Sequence, residues 1–192
     1  MDGNINMGCG DEKKVILPID VESVDTVGDD TQRRFRYQHT VTALIALYMY
    51  SGELPYKEIL CEYHEDILAL SENGKYTGIQ IKTKDPKLGL FDLSETSIIS
   101  AVAKFCKLDN QFNGLFEKYI LATNCNFIED NTGKSVLKLV EELKRCDIEV
   151  TGFAPRTLEE NVQKIQSKAK CSRECVISTL RKTKFQTMPS MD

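Results

Sequence analysis

The stretch ILCEYHEDILALSENGKYTGIQIKTK, residues 59–84, decides how the chain reads. Near its end Ile79 and Ile81 alternate with Gln80 and Lys82. On a strand this puts the two isoleucines on one side and an amide and an ammonium on the other. Asn73-Gly74, inside SENGK, is a hairpin-turn signal. The segments flanking it, 65–70 (EDILAL) and 76–83 (YTGIQIKT), are therefore expected to pair antiparallel, with a third strand at 57–63 (KEILCEY) before them. Counting outward from the turn sets Leu70 opposite Thr77 and Ile67 opposite Gln80, which brings Asp66 to the level of Gln80 through Lys82. Glu62, at the end of the preceding strand, approaches the same point.

Upstream, a helix is expected from a cap at Asp30 or Thr31 to about Ser51, stopping at Gly52. Phe35, Val41, Ile45 and Tyr48 make its apolar stripe, and Gln38 falls on that stripe as a polar residue where an apolar one would be expected. Downstream, Asp92 and Glu95 have capping-box spacing ahead of a helix whose apolar face is Ile98, Ile99, Val102, Phe105 and Cys106. Tyr119 to Thr123 (YILAT) reads as a buried strand ending at Asn124. The order is α-β-β-β-α-β, an α/β fold with a central mixed sheet flanked by helices. Further elements are a helix near Ser135 to Arg145, a strand at Ile148 to Phe153 and a basic helical stretch from Leu158 to about Lys184. Residues 1–30 read as a polar, partly flexible segment whose Val15 to Ile19 could add an edge strand; residues 31–192 form the domain.

Composition narrows the class. With 192 residues, 41% hydrophobic and 28% charged, the chain can bury one core. The longest mostly apolar run, Val41 to Tyr50, is about half of the roughly 20 residues a bilayer demands. The first residues, MDGNINMGCGDEKK, lack the apolar centre of a secretory signal. Seven cysteines, an odd number without framework spacing, suit a reduced compartment, so the cytoplasm is the expected location. A net charge of −4 excludes nucleic-acid binding by bulk electrostatics and leaves local patches, Arg33, Arg34 and Arg36, then Lys75, Lys82, Lys84 and Lys87.

An acid, an amide oxygen and a lysine gathered by one hairpin suit metal-assisted phosphodiester cleavage. A hard ion such as Mg2+ or Mn2+ takes a few protein oxygens and leaves positions for water and phosphate. Lys82 would orient the nucleophile and stabilise charge on the phosphate. A D…QxK pattern taken alone is weak, because carboxylates and lysines are common near strand ends. Other groupings read more blandly. Cys171 and Cys175 lie one helical turn apart, but no histidine is near them in sequence to complete a zinc set. His64 reads as an exposed loop histidine, Asn131-Thr132-Gly133 as a turn. The basic residues Lys164, Lys168, Lys170, Arg173, Arg181, Lys182 and Lys184 read as a solvated helical face. No P-loop and no GxGxxG is present.

Asp66, a 13-residue gap and Gln80-Ile81-Lys82 resemble the PD-(D/E)XK nuclease superfamily, in the QxK variant of its Mrr-like branch. Gln38 in FRYQH matches the first-helix residue that points at the site in that branch. YQ on the first helix, the acids ahead of ILAL, and QIKTK more closely resemble the N-terminal nuclease domain of bacterial anti-phage effectors. These include CBASS proteins that carry a SAVED sensor, and the likeness spans roughly residues 31–125. The resemblance implies a restriction-endonuclease-like core and a double-stranded DNA endonuclease. It also implies a catalytic set of Asp66, Gln80, Lys82, Glu62 and Gln38, with Asp66, Gln80 and Glu62 on Mg2+ or Mn2+. Self-association during cutting is expected, since two strands need two sites. The sensor is expected as a further domain outside this sequence or as a separate chain. Glu65 stands where the family has Pro, which leaves open whether Glu65 or Asp66 faces the metal. A catalytically inactive interaction or DNA-binding module, and a repair or junction nuclease of the same superfamily, are the alternatives.

Overall fold

The computed structural model describes residues 32–188, with side chains from Phe35 onward. The expectations for residues 1–30, for the cap at Asp30 or Thr31 and for the side chains of Arg33 and Arg34 lie outside them. Five strands form one sheet in the order β1-β2-β3-β4-β5. Strands β1 (Tyr56–Tyr63), β2 (Glu65–Ser71) and β3 (Tyr76–Lys82) are an antiparallel meander, while β4 (Phe116–Thr123) and β5 (Thr183–Thr187) continue from β3 in parallel. Helices α1 (Gln32–Tyr50) and α2 (Thr96–Gln111) complete the expected α-β-β-β-α-β order. The rest is α3 (Val136–Leu143), a single turn α4 (Ile148–Thr151), α5 (Arg156–Ala169) and α6 (Arg173–Lys182).

Alternation along β3 and β4 sorts the two cores. Ile67, Ile79, Ile81 and Ala122 pack on α1 through Tyr37, Val41 and Ile45. Leu68, Tyr76, Tyr119 and Leu121 pack on the other face against α2, α5 and α6. The stripe on α1 is thus Tyr37, Val41 and Ile45, four residues apart, rather than the one expected. Phe35 lies about 160° around the helix from Tyr37, and Tyr48 in the last turn is 42% exposed. Gln38 is half-buried on the shoulder of the stripe.

The β2–β3 register differs by one residue from the count out of Asn73-Gly74. Leu70 faces Tyr76 and Ile67 faces Ile79. The cause is loop length. Ser71 N–H donates to Lys75 O at 2.9 Å, so three residues, Glu72, Asn73 and Gly74, close the hairpin, with Gly74 left-handed at φ 77. A two-residue Asn-Gly turn would have given the other register.

Ahead of α2 the capping box is only half formed. Glu95 Oε1 accepts from Asp92 N–H at 3.2 Å, but Asp92 Oδ1 takes the Ser94 N–H and hydroxyl. The five expected apolar residues of α2 are all buried.

Two C-terminal expectations are corrected. Ile148 to Phe153 is no strand: Gly152 N–H donates to Ile148 O at 3.0 Å, and Val150 is 91% exposed, so only Ile148 and Phe153 reach the core. The stretch from Leu158 to Lys184 is not helical throughout but breaks into α5, α6 and the edge strand β5, whose TKFQT lacks apolar alternation to announce it. Gly133 is more than a turn residue. It is buried against the first turn of α5, and its carbonyl accepts from Asn161 Nδ2 at 3.0 Å.

Candidate active site

The pairing of β2 with β3 runs from Leu70↔Tyr76 to Ile67↔Ile79. At the next ladder position the Ile81 N–H is taken by a side chain: it donates to Asp66 Oδ2 at 2.6 Å. Gln80 Nε2 donates to the same oxygen, also at 2.6 Å. Both bonds fall on Oδ2. A carboxylate can only accept, so the amide must turn its nitrogen to Asp66 and its oxygen away. Gln80 is 5% exposed, and Asp66 is half-buried.

Gln80 and Lys82 face the α2 side of the sheet, since their β4 partners are Leu121 and Thr123. Lys82 is half-buried at the end of β3, two residues beyond Gln80 on the same face. Glu62 is exposed at the end of β1, between the pairs Cys61↔Ile67 and Tyr63↔Glu65 and so level with Asp66. Its φ of 54, with 59 at His64, belongs to the tight turn joining β1 to β2. Gln38 sits in the α1 layer, across the sheet from the Gln80 face. The structure thus brings Asp66 and Gln80 into contact with Lys82 on the same face, while Glu62 and Gln38 stand apart from that contact.

Glu65 is engaged elsewhere. It is buried where β3 carries Gly78; a Cβ there would stand 3.1 Å from the Tyr119 ring and 3.4 Å from Glu65 Cγ. Lys104 of α2 approaches Glu65 with its Nζ 3.6 Å from Oε2. Burial first, then the charges of Asp109 and Glu65, hold the Tyr119 phenol far above its ordinary pKa. Sequence reasoning missed Lys104. The signal was a charge inside the buried run Ala101, Val102, Ala103, Phe105 of an amphipathic helix. It also missed Asn124, whose Oδ1 accepts from Lys84 N–H at 3.0 Å and whose Nδ2 donates to Lys84 O at 2.9 Å. That pair of bonds fixes the chain as it leaves β3.

Several basic candidates are committed to structure. Lys84 Nζ lies 2.7 Å from Glu95 Oε1 and over the Phe91 ring at 4.3 Å. Arg173 pairs with Glu159, Arg181 with Glu149 and Lys182 with Asp109. His64 is not exposed but 7% accessible, edge-on to Tyr63 and Phe112. Cys171 and Cys175 pack beside buried Cys106; burial, then the Cys175 hydrogen bond, pushes the Cys171 thiol up to about 11. Among the described residues no three His, Cys, Asp or Glu side chains converge as a metal cluster. No helix there is long and apolar enough to cross a membrane.

A mixed sheet flanked by helices, with an acid and QxK meeting across the β2–β3 hairpin, defines a restriction-endonuclease-like nuclease of the PD-(D/E)XK type. Residues 26–190 match the family described as Cap4, dsDNA endonuclease domain, and the chain belongs to that family. It is accordingly a hydrolase of double-stranded DNA, an effector module of anti-phage defence, in a family of metal-dependent nucleases. No curated protein and no solved structure matches it.

Proposed function

We propose that Asp66, Gln80 and Lys82 are the catalytic centre of this endonuclease and that they work with Mg2+ or Mn2+. The observation that carries this is the pair of 2.6 Å bonds to Asp66 Oδ2, from Gln80 Nε2 and Ile81 N–H. They orient the carboxylate, and on this reading Oδ1 and the Gln80 Oε1 are the two oxygens offered to an ion. Two protein oxygens suit a hard cation that keeps water and phosphate in its other positions. When bound, the ion supplies Lewis-acid activation of water and neutralises charge at the phosphate.

The remaining steps belong to the chain. Asp66, fixed by a backbone N–H, keeps its charge at one point and loses little entropy on binding. Lys82 faces the side of β3 that carries Gln80, where its ammonium holds a non-bridging phosphate oxygen and orients the attacking water. Glu62, level with Asp66 on the neighbouring strand, is a supporting acid and further ligand on this reading. Gln38 acts from the α1 layer. The nuclease domain covers residues 31–192 on this reading. Two copies associate to cut both strands, in the cytoplasm, under a sensor carried as another domain or another chain.

The test is plasmid cleavage with Mg2+ by the wild-type protein and Lys82→Ala. The variant is expected to lose activity by about 100-fold or more, as for loss of a donor to a developing anion. Cleavage at the wild-type rate refutes the assignment, and calorimetry showing no divalent-metal binding would favour a catalytically inactive interaction or DNA-binding module.

A further inference from the structure

Three residues beyond Lys82 the chain enters a short loop, 85–90 (DPKLGL), in which every residue is exposed. Leu88 is 73% and Leu90 51% accessible. Isolated surface leucines are ordinary. These two differ in being held out by a rigid frame. At the base, Lys84 is clamped by Asn124, and its Nζ donates to Leu90 O at 2.6 Å, closing the loop on itself. Phe91 then returns to the core, with N–H to Asn126 O and its carbonyl accepting from Ile128 N–H, both at 2.8 Å. Within the loop Asp85 Oδ1 accepts from Lys87 N–H at 2.9 Å, and Leu88 N–H donates to Asp85 O at 2.9 Å. Pro86 and left-handed Gly89, φ 82, set the turn. A collapsed loop would bury its leucines; this one is braced at both ends and presents them with Lys87 to solvent.

We propose that loop 85–90 is a second DNA contact, entering a groove of the duplex beside the scissile phosphate, with Leu88 wedged against a base step and Lys87 on a flanking phosphate. The proposal rests on the catalytic reading of Lys82, because the loop continues directly from the strand that would hold the phosphate. Apolar wedges of leucine and proline are a recurrent means of unstacking a duplex step. Bracing serves such a contact, since a preordered loop loses little entropy on binding. Lys87, beside Leu88, supplies one cation for a phosphate, while Asp85 leaves the loop as a whole without net charge, so the contact depends on the apolar wedge rather than on bulk attraction.

The test uses oligonucleotide duplexes carrying 2-aminopurine at successive positions, bound by Lys82→Ala protein so that they remain uncut. The intact loop is expected to raise fluorescence at one or two neighbouring steps by roughly twofold or more. Leu88→Ala should return the signal to that of free duplex, while Leu88→Met keeps it. In protein with Lys82 intact, Leu88→Ala with Leu90→Ala should raise KM for duplex on the order of 10-fold, with kcat little changed. No rise with the intact loop, or an equal rise with Leu88→Ala, overturns the proposal. Cutting of the duplex by Lys82→Ala protein instead overturns the catalytic assignment, and the KM of the loop variants still decides the loop.

Discussion

Replacing Gln80 by Glu restores the acidic form of the motif and tests whether Asp66 and Gln80 share one ion. In the wild-type protein the two side chains meet at 2.6 Å through an N–H donor. Gln80→Glu removes that donor and sets two carboxylates against each other in a place where residue 80 is 5% exposed. Relaxed to about 4 Å, two unit charges at an effective dielectric near 20 repel by about 4 kcal/mol. The protein can avoid this by keeping one proton on the pair. Holding a glutamic acid neutral at pH 7 costs about 3–4 kcal/mol from its ordinary value, and about 1 kcal/mol at pH 5. The two routes agree on about 4 kcal/mol lost without metal near neutrality. The sign follows from linkage: a carboxyl pair whose folded pKa is raised is favoured at low pH, and its stability is lost as pH rises through that value. In EDTA the variant should melt roughly 8–16 °C below wild type at pH 7.5 and within about 4 °C of it at pH 5. Mg2+ at pH 7.5 should raise its Tm more than it raises that of wild type, because the ion relieves the repulsion. Equal melting temperatures in EDTA, a deficit independent of pH, or no differential Mg2+ shift would each refute the reasoning.

Two further outcomes concern the frame. An alanine at Gly133 would drive its Cβ into the Thr157 hydroxyl and Leu158 nitrogen and to 2.7 Å from the Thr157 carbonyl carbon, so α5 must move off the core. Gly133→Ala is expected to lower stability by about 2–3 kcal/mol in urea denaturation, and wild-type stability would show that α5 is free to shift. Glu159 is held down to about 2, from 4.5, chiefly by Arg173 with contacts of 2.6 and 2.9 Å. A depressed carboxyl contributes stability above 4.5 that is lost as pH falls through about 2. After allowance for solvent screening, Glu159→Gln should cost about 1–2 kcal/mol at pH 7 and clearly less at pH 3. A gap that is the same at both pH values contradicts the ion-pair account.

Much of the arrangement was legible because it depends on alternation and punctuation. Ile79 and Ile81 against Gln80 and Lys82 fixed the faces of β3, and Gly52 and Asn73-Gly74 marked real ends and turns. What escaped was set by contacts across the fold. Polar TKFQT becomes β5 only because β4 offers an unpaired edge, and His64 is buried only because Phe112, far along the chain, covers it. Lys104 meets Glu65 only because the fold lays α2 against the start of β2.

The choice between Glu65 and Asp66 shows how fine the dividing line is. Side chains on a strand alternate, so a one-residue slip of the hairpin exchanges which of two adjacent acids meets Gln80. A two-residue turn at Asn73-Gly74 would put Ile67 opposite Gln80 and Glu65 opposite Lys82, so that Glu65 and not Asp66 would share their face. The three-residue loop closed by Ser71 and Lys75 shifts the count by one and brings Asp66 level with Gln80. Regular pairing then stops at Ile67, and Asp66 fills the ladder position on Ile81 with its own side chain, while Glu65 passes over Gly78 toward Lys104. The acid that bonds Gln80 is therefore selected by a turn six residues or more away from it. Changing the length of that turn should disturb the Asp66–Gln80 pair as surely as mutating either residue.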